Sequence, residues 1–374
     1  MPSSRLIQIV PVRSRSPEGV GDYSRILAER LRSNHGVESS FLACTPLPPG
    51  DRLEDGWETI ELERRGAAKL LGALERLRAV HGPATILLHL SAYGFHPKAV
   101  PLWLVSGLAR WRRANPAQRL VTVFHELYAT GPVWSSPFWL GWLQARCARR
   151  IQQLGDAGIA TTRKNFADLM QWSGGTRELH WMPCFSNIGE IGDDRSIAAS
   201  SRAPSLVIFG RSAVVDQVYR DGATALEAFV RANGVKDILD IGARIASPPC
   251  EVAGIPVRAL GVTSAEALRE ELAKARFGLL AYDAEKLAKS GVFAAYCATG
   301  VVPLCISSAA GTSDGLSPGT QYVKLAPHSR SVAPLTGIDD LQDGTRAWYR
   351  PHSTDRTVSL IHRLIQGPGV AGDE

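Results

Sequence analysis

A chain of 374 residues is long for one ordinary domain and suits two, and 45% hydrophobic with 21% charged residues is the composition of a soluble globular protein. No apolar run approaches the roughly 20 residues of a membrane-spanning helix, so none is expected. The net charge of +6 is uneven: residues 1–183 carry 23 Lys/Arg against 15 Asp/Glu and the remainder 19 against 21, so the first half holds a basic surface, suited to nucleic acid, an anionic membrane, an anionic ligand or plain solvent.

Met1 to Ser4 lead directly into an apolar strand at residues 6–12, so no signal peptide is expected. Residues 23–32 read as a helix, with Tyr23, Ile26, Leu27 and Leu31 at helical spacing. A strand at 37–43, a helix at 67–80, a strand at 84–90 and a helix at 99–114 follow. A strand at 120–124 ends in His125-Glu126. Beyond it come a helix at 137–154, a strand at 158–161, a helix at 165–172 and a strand at 178–182. The stretch that follows is rich in Gly, Ser, Asp and Pro with little periodicity, which suits a linker.

The alternation then restarts. A strand at 205–209 ends in Gly210-Arg211, and a helix at 224–232 and strands at 238–241 and 257–260 follow. A helix at 265–275 leads to a strand at 277–282, a polar loop, a helix beginning at Lys289-Ser290-Gly291, a stop at Gly300 and a strand reaching Cys305. Residues 307–320 form a small-residue loop and 357–365 a last helix. Strands alternating with helices predict parallel sheets with right-handed crossovers. The fold class is therefore α/β: two Rossmann-like doubly wound domains facing a central cleft. The N-terminal domain is placed at 1–184, the linker at 185–204 and the C-terminal domain at 205–374, the last helix packing back on the N-terminal domain. Such sheets bind ligands at the carboxyl ends of their strands, which makes the cleft the expected active site. Cys44, Cys147, Cys184, Cys250, Cys297 and Cys305 are scattered without a CxxC pair, as expected of reduced core residues in a cytoplasmic protein.

Four strand tips carry the candidate chemistry. Gly19 and Gly21, opening the first helix, let backbone approach a ligand. A nicotinamide-type loop would want a third glycine and an acidic residue after the second strand, where Ser24 and Ser39-Ser40 stand. His125 can act as a general base or donate to a sugar hydroxyl or phosphate, with Glu126 orienting it or binding hydroxyls; the alternative is a strand-end histidine held by the next loop. Gly210-Arg211 offers a guanidinium that can grip a diphosphate, with Arg220 in the following loop as a second. Lys289, Ser290, Gly291 and Val292 sit where a helix begins, and the partial positive charge there receives anions. Asp283 and Glu285, just before, could bind sugar or ribose hydroxyls. Trp139 and Trp142 beside Arg146, Arg149 and Arg150, and Trp103 and Trp111 beside Arg110, Arg112 and Arg113, suit either an interfacial membrane helix or a core stripe with a basic outer face. No zinc-ligand spacing, P-loop or nucleic-acid module is apparent.

Taken together, Gly19-Val20-Gly21 after the first strand, His125 ending a central strand, Met182-Pro183-Cys184-Phe185-Ser186-Asn187 entering the linker, Gly210-Arg211, and Ala298-Thr299-Gly300-Val301-Val302-Pro303 resemble a bacterial GT-B glycosyltransferase. Over nearly the whole chain the pattern is similar to the family-four retaining enzymes. The resemblance implies a sugar moved from a nucleotide diphosphate donor, bound by the C-terminal domain, to a glycan or lipid-linked acceptor, as in bacterial surface polysaccharide or glycoconjugate synthesis. It implies no cofactor and no metal, positive groups and a helix N-terminus neutralising the leaving diphosphate. Independently of the resemblance, the scattered cysteines point to the cytoplasm and the Trp/Arg helices to a peripheral place on the inner face of the membrane against anionic lipid, and no nucleic-acid partner is expected. The family's paired glutamates would fall near Leu287 and Ala295 and are absent, and Asp216 stands near the place of its lysine after Gly-Arg. Glu285 or Asp283 would then take the sugar contact, and Arg220 or Lys289 the phosphate contact. The alternatives are a catalytically inactive GT-B-like binding or scaffold protein and a nucleotide-sugar 2-epimerase.

Overall fold

The computed structural model describes residues 5–16, 18–128, 136–192, 197–243, 245 and 248–367. The chain divides into two compact units, the first Met1–Met182 with Asp355–Glu374 and the second Pro183–Thr354.

Unit one runs β1 (Arg5–Val10), α1 (Gly19–His35), β2 (Glu38–Ala43), β3 (Thr59–Glu61), α2 (Ala67–His81), β4 (Thr85–Ser91), α3 (Ala92–Phe95), α4 (Leu102–Ala114), β5 (Leu120–Glu126), α5 (Ser136–Leu154), β6 (Ala157–Ala160), α6 (Arg163–Ser173) and β7 (Glu178–Trp181). The strands pair in the order β3-β2-β1-β4-β5-β6-β7, every pair parallel. Leu6, Ile7, Ile9 and Val10 are all buried, the two-sided burial of a strand with helices on both faces. The expected helix at 99–114 starts later, at Leu102, because Pro101 supplies its cap and Ala99 takes a left-handed φ of 53°. Trp111 of α4 is buried and Trp103 half-buried, so α4 keeps its tryptophans in or near the core.

Unit two runs β8 (Ala203–Gly210), α7 (Ser212–Asp221), α8 (Ala223–Ala232), β9 (Asp237–Gly242), β10 (Glu251–Val252), β11 (Ile255–Gly261), α9 (Ala265–Lys274), β12 (Ala275–Ala281), a 3-10 turn (Ala284–Lys289), α10 (Gly291–Thr299), β13 (Val302–Ile306), β14 (Val323–Leu325) and α11 (Ile338–Tyr349). The order is β10-β11-β9-β8-β12-β13-β14, parallel except for β10 with β11. The segment from Pro183 is fastened to this unit. Cys184 N–H donates to Ala288 O (2.9 Å), Ser186 N–H to the Tyr349 hydroxyl (2.9 Å) and Ile191 N–H to Ala298 O (3.3 Å). The chain closes with α12 (Thr354–Gln366). It bonds to unit one where Thr85 Oγ1 donates to Ile365 O (3.3 Å) and Arg119 Nε to Leu364 O (3.1 Å).

Both units are thus mostly parallel α/β sheets of Rossmann type. Five of the six cysteines are buried, Cys250 is exposed, and all are free. Among the described residues no helix is long and apolar enough to cross a membrane.

Candidate functional site

In unit one the first candidate is the start of α1. Glu18 is its N-cap: its carboxylate accepts from Gly21 N–H (2.5 Å), and Asp22 Oδ2 accepts from Glu18 N–H (3.1 Å). Reciprocal caps of this kind satisfy the free N–H groups of a helix start. Gly19 is exposed and Gly21 half-buried, but the positive end between them already faces two carboxylates of its own chain. An anionic ligand would meet repulsion here. The preceding loop is pinned by Arg13, which is buried, pairs with Asp55 and lies over the Phe41 ring at 3.8 Å.

His125 occupies the tip of β5. The register against β4 shifts there, Leu90 facing Phe124 and Ser91 facing Glu126, so His125 is the extra residue of a bulge. Bulges re-aim side chains and collect beside active sites. The ring is buried, stacks on His89 (centroids 5.8 Å, 22°) and meets Tyr23 edge-on at 5.0 Å. Behind it runs a buried polar chain. His89 Nε2 lies 2.8 Å from Gln8 Oε1, and Gln8 Nε2 donates to Ser39 Oγ at 3.1 Å. That contact gives His89 its proton on Nε2. Burial, aided by the charge of His125, holds His89 well below the ordinary histidine pKa, so it is a neutral neighbour. The sequence does not mark His89 as a site residue because its chemistry depends on pairing with Gln8, 81 residues away. Glu126 is half-buried beside it.

In unit two the tips of β8 and β9 meet at Gly210 and Gly242, which are paired in register and both at φ +148°. A Cβ on Gly242 would lie 2.7 Å from Gly210 O, so only glycine lets these backbones approach. Val292, in the first turn of α10, packs against Gly210 from the other side, its Cγ2 3.6 Å from where a Cβ would stand. Gly210 and the start of α10 are therefore brought together. Arg211 follows as the exposed N-cap of α7.

The start of α10 is unlike that of α1. Ser290 is its N-cap and accepts from Phe293 N–H (3.2 Å), which commits that hydroxyl to the helix. No acidic residue stands in the first turn, and the N–H groups of Gly291 and Val292 have no acceptor among the described residues. Lys289 is half-buried, with its charge felt by Asp283 and Cys184. Asn187 packs against Gly291, 3.6 Å from where a Cβ would stand, and its buried Oδ1 has no partner among the described residues. The sequence places Asn187 at the entry to the linker but not at the site, because its contact with Gly291 is made far along the chain.

Tyr296 of α10 donates to Leu279 O (2.9 Å) and sits 3.2 Å from Val207 O, its ring lying over Gly278 where a Cβ would collide. Arg220 is not in a loop but in the last turn of α7, roughly 12 Å along the helix axis from its start. It is bound there by Asp216 (2.8 Å) and Asp221 (2.9 Å), which leaves it a surface ion pair. Asp283 caps the 3-10 turn by accepting from Glu285 N–H (3.1 Å) and pairs with Lys286 (2.7 Å). Burial works to raise its pKa, and the Lys286 hydrogen bond with the charges of Lys286 and Lys289 outweighs it, leaving the carboxyl below its usual range. Glu285 is exposed and leans on the loop at Gly311. Leu287 and Ala295, the positions counted for the family's glutamates, are 1% and 0% exposed core residues. Among the described residues no group of His, Cys, Asp or Glu gathers as a metal site.

No family model matches the chain, and no curated protein matches it in sequence. Solved structures share its fold. An alpha-glucosyltransferase in complex with UDP and a 13-mer DNA containing an HMU base is 10% identical at a TM-score of 0.57, over 98% of this chain and 100% of that one. A GtfA/B complex is 11% identical at 0.60, over 97% and 99%. The UDP-GlcNAc 2-epimerase of Neisseria meningitidis, bound to UDP-GlcNAc, is 9% identical at 0.57, over 97% and 99%. The architecture is GT-B: two Rossmann-like domains shared by glycosyltransferases and nucleotide-sugar epimerases.

Proposed function

We propose that the protein is a glycosyltransferase that takes a sugar from a nucleotide diphosphate donor. The observation that carries this reading is the start of α10, an acid-free helix N-terminus with two unsatisfied N–H groups and Lys289, set against the Gly210 tip of β8. The diphosphate would lie on Gly291 and Val292 N–H and Lys289, with Arg211 from the β8 tip. The same groups would stabilise charge on the leaving diphosphate as the glycosidic bond forms, with no metal required of the protein. The α1 start, already faced by Glu18 and Asp22, is left out of that role, and so is Arg220. His125 would contact the donor sugar or its developing charge and Glu126 the acceptor. Asp283 or Glu285 would take the sugar hydroxyls. The acceptor would be a glycan or a lipid-linked molecule, as the resemblance implies, and transfer would retain anomeric configuration.

The test is titration calorimetry with UDP, GDP and ADP. Wild type binds at least one of them, and Lys289→Ala weakens that binding by about tenfold, the loss of one charge-assisted contact. Failure of all three to bind would sink the proposal. The apolar Leu287 and Ala295, at the positions counted for the family's glutamates, favour a second reading, a GT-B-like binding protein that has lost catalysis. Turnover of any nucleotide sugar by the purified protein, abolished by His125→Ala, would exclude it.

A further inference from the structure

We propose that unit one docks on an anionic phospholipid bilayer through the outer stripe of α5 and the adjoining end of α4, a headgroup phosphate entering the cleft between the two helices. At 3.6 residues per turn, Trp139, Trp142, Arg146, Arg149 and Arg150 fall in a stripe roughly 100° wide. The opposite side of α5, with Gln144, Cys147, Ala148 and Ile151, is buried in the unit. Trp139 is 67% exposed, Trp142 68%, and Leu102 at the start of α4 55%. These are three of the large apolar side chains that are more than half exposed among the described residues.

The charge on this face is uncompensated. Neither α4 nor α5 contains an acidic residue. Arg112 is taken by Asp156 (2.6 Å), but Arg110, Arg113, Arg146 and Arg149 have no acidic partner among the described residues, and Arg150 reaches only Gln153 Oε1 at 3.2 Å. A cleft of about 420 Å³ separates the helices, walled by Leu102 and Val105 and rimmed by Arg146, Arg149 and Arg150. An apolar wall beside three guanidiniums matches a lipid, with acyl chain near the leucine and phosphate on the arginines. Exposed indoles are favoured at the headgroup level, where one edge is apolar and the other wet. A nucleic acid would also meet the arginines. It would leave Leu102 and the outer indole faces facing a charged backbone, so the bilayer fits better.

Cosedimentation of the whole protein with phosphatidylcholine vesicles, with and without phosphatidylglycerol, tests this at low and high salt. Wild type pellets with the anionic vesicles only, and less so at high salt. The double variants Arg146→Glu/Arg149→Glu and Trp139→Ala/Trp142→Ala each lose at least about tenfold of that binding, while melting temperature and nucleoside diphosphate binding stay as in wild type. Negligible pelleting with both vesicle types would overturn the proposal. So would charge-reversed protein that pellets like wild type, or a protein that ignores vesicles and binds a DNA oligonucleotide through the same arginines.

Discussion

His89 in unit one and His352 in unit two are both buried neutral, and both tie stability to pH. Burial holds His352 at about 3, and burial with the His125 charge holds His89 well below 6.5. Below about pH 6.5 the unfolded chain takes up protons that the folded chain refuses. Their contribution is therefore complete above that pH and is lost as pH falls, at up to about 1.4 kcal/mol per pH unit for each histidine. Urea unfolding between about pH 7 and pH 5 should show the midpoint dropping, with His352→Gln flattening the dependence of unit two. An unfolding free energy that stays level over this range in wild type would contradict the burial of both rings.

At the scale of elements, α10 is held in place by Tyr296 and Gly278 rather than by an amphipathic stripe. Nearly the whole helix is buried, so its pose depends on shape. Gly278→Ala drives a methyl into the Tyr296 ring and should cost about 1–3 kcal/mol, the usual range for overpacking. Tyr296→Phe removes the hydroxyl that reaches Leu279 O and should cost roughly 1 kcal/mol or somewhat more. Chemical unfolding reads both, and Gly278→Ala should also weaken nucleotide binding by moving the first turn of α10. If it unfolds like wild type, Tyr296 does not set that pose. The strands and larger helices were legible because apolar residues recur in them with periods of two or 3.6. By contrast, α11 was not. Its buried face includes Gln342 and Thr345, which bond to backbone, and the charged Arg346, so apolar periodicity is missing. The short α7 hid behind β-branched Val214, Val215 and Val218, which read as loop or strand. At the site, Gly210, Lys289, Gly291 and Val292 could be named from sequence because local chain direction puts them at strand and helix ends. The capping of α1 by Glu18 and the arrivals of Asn187, Tyr296 and His89 depend on side-chain direction and long-range pairing.

At the scale of the whole molecule, the chain leaves unit one, builds unit two as one continuous segment, and returns. Residues 183–354 should accordingly fold when expressed alone and bind nucleoside diphosphate, because the α10 start and the β8 tip both lie inside them. Residues 1–182 should be less stable alone, lacking α12, whose Val358, Ile361 and Leu364 are buried and whose carbonyls hold Thr85 and Arg119. Circular dichroism melting of both fragments checks this, and a fully stable 1–182 fragment would show that α12 is dispensable. The charge asymmetry follows the same division: the basic excess belongs to residues 1–183 and includes the arginines of α4 and α5.

The central claim is that the start of α10 holds a nucleoside diphosphate. A structure of the protein grown with UDP, GDP or ADP tests it directly. The β-phosphate should lie on the N–H groups of Gly291 and Val292 with Lys289 beside it, and the α1 start should be empty of phosphate. A diphosphate bound at Gly19–Gly21 instead, or a nucleotide that leaves α10 untouched, would contradict it.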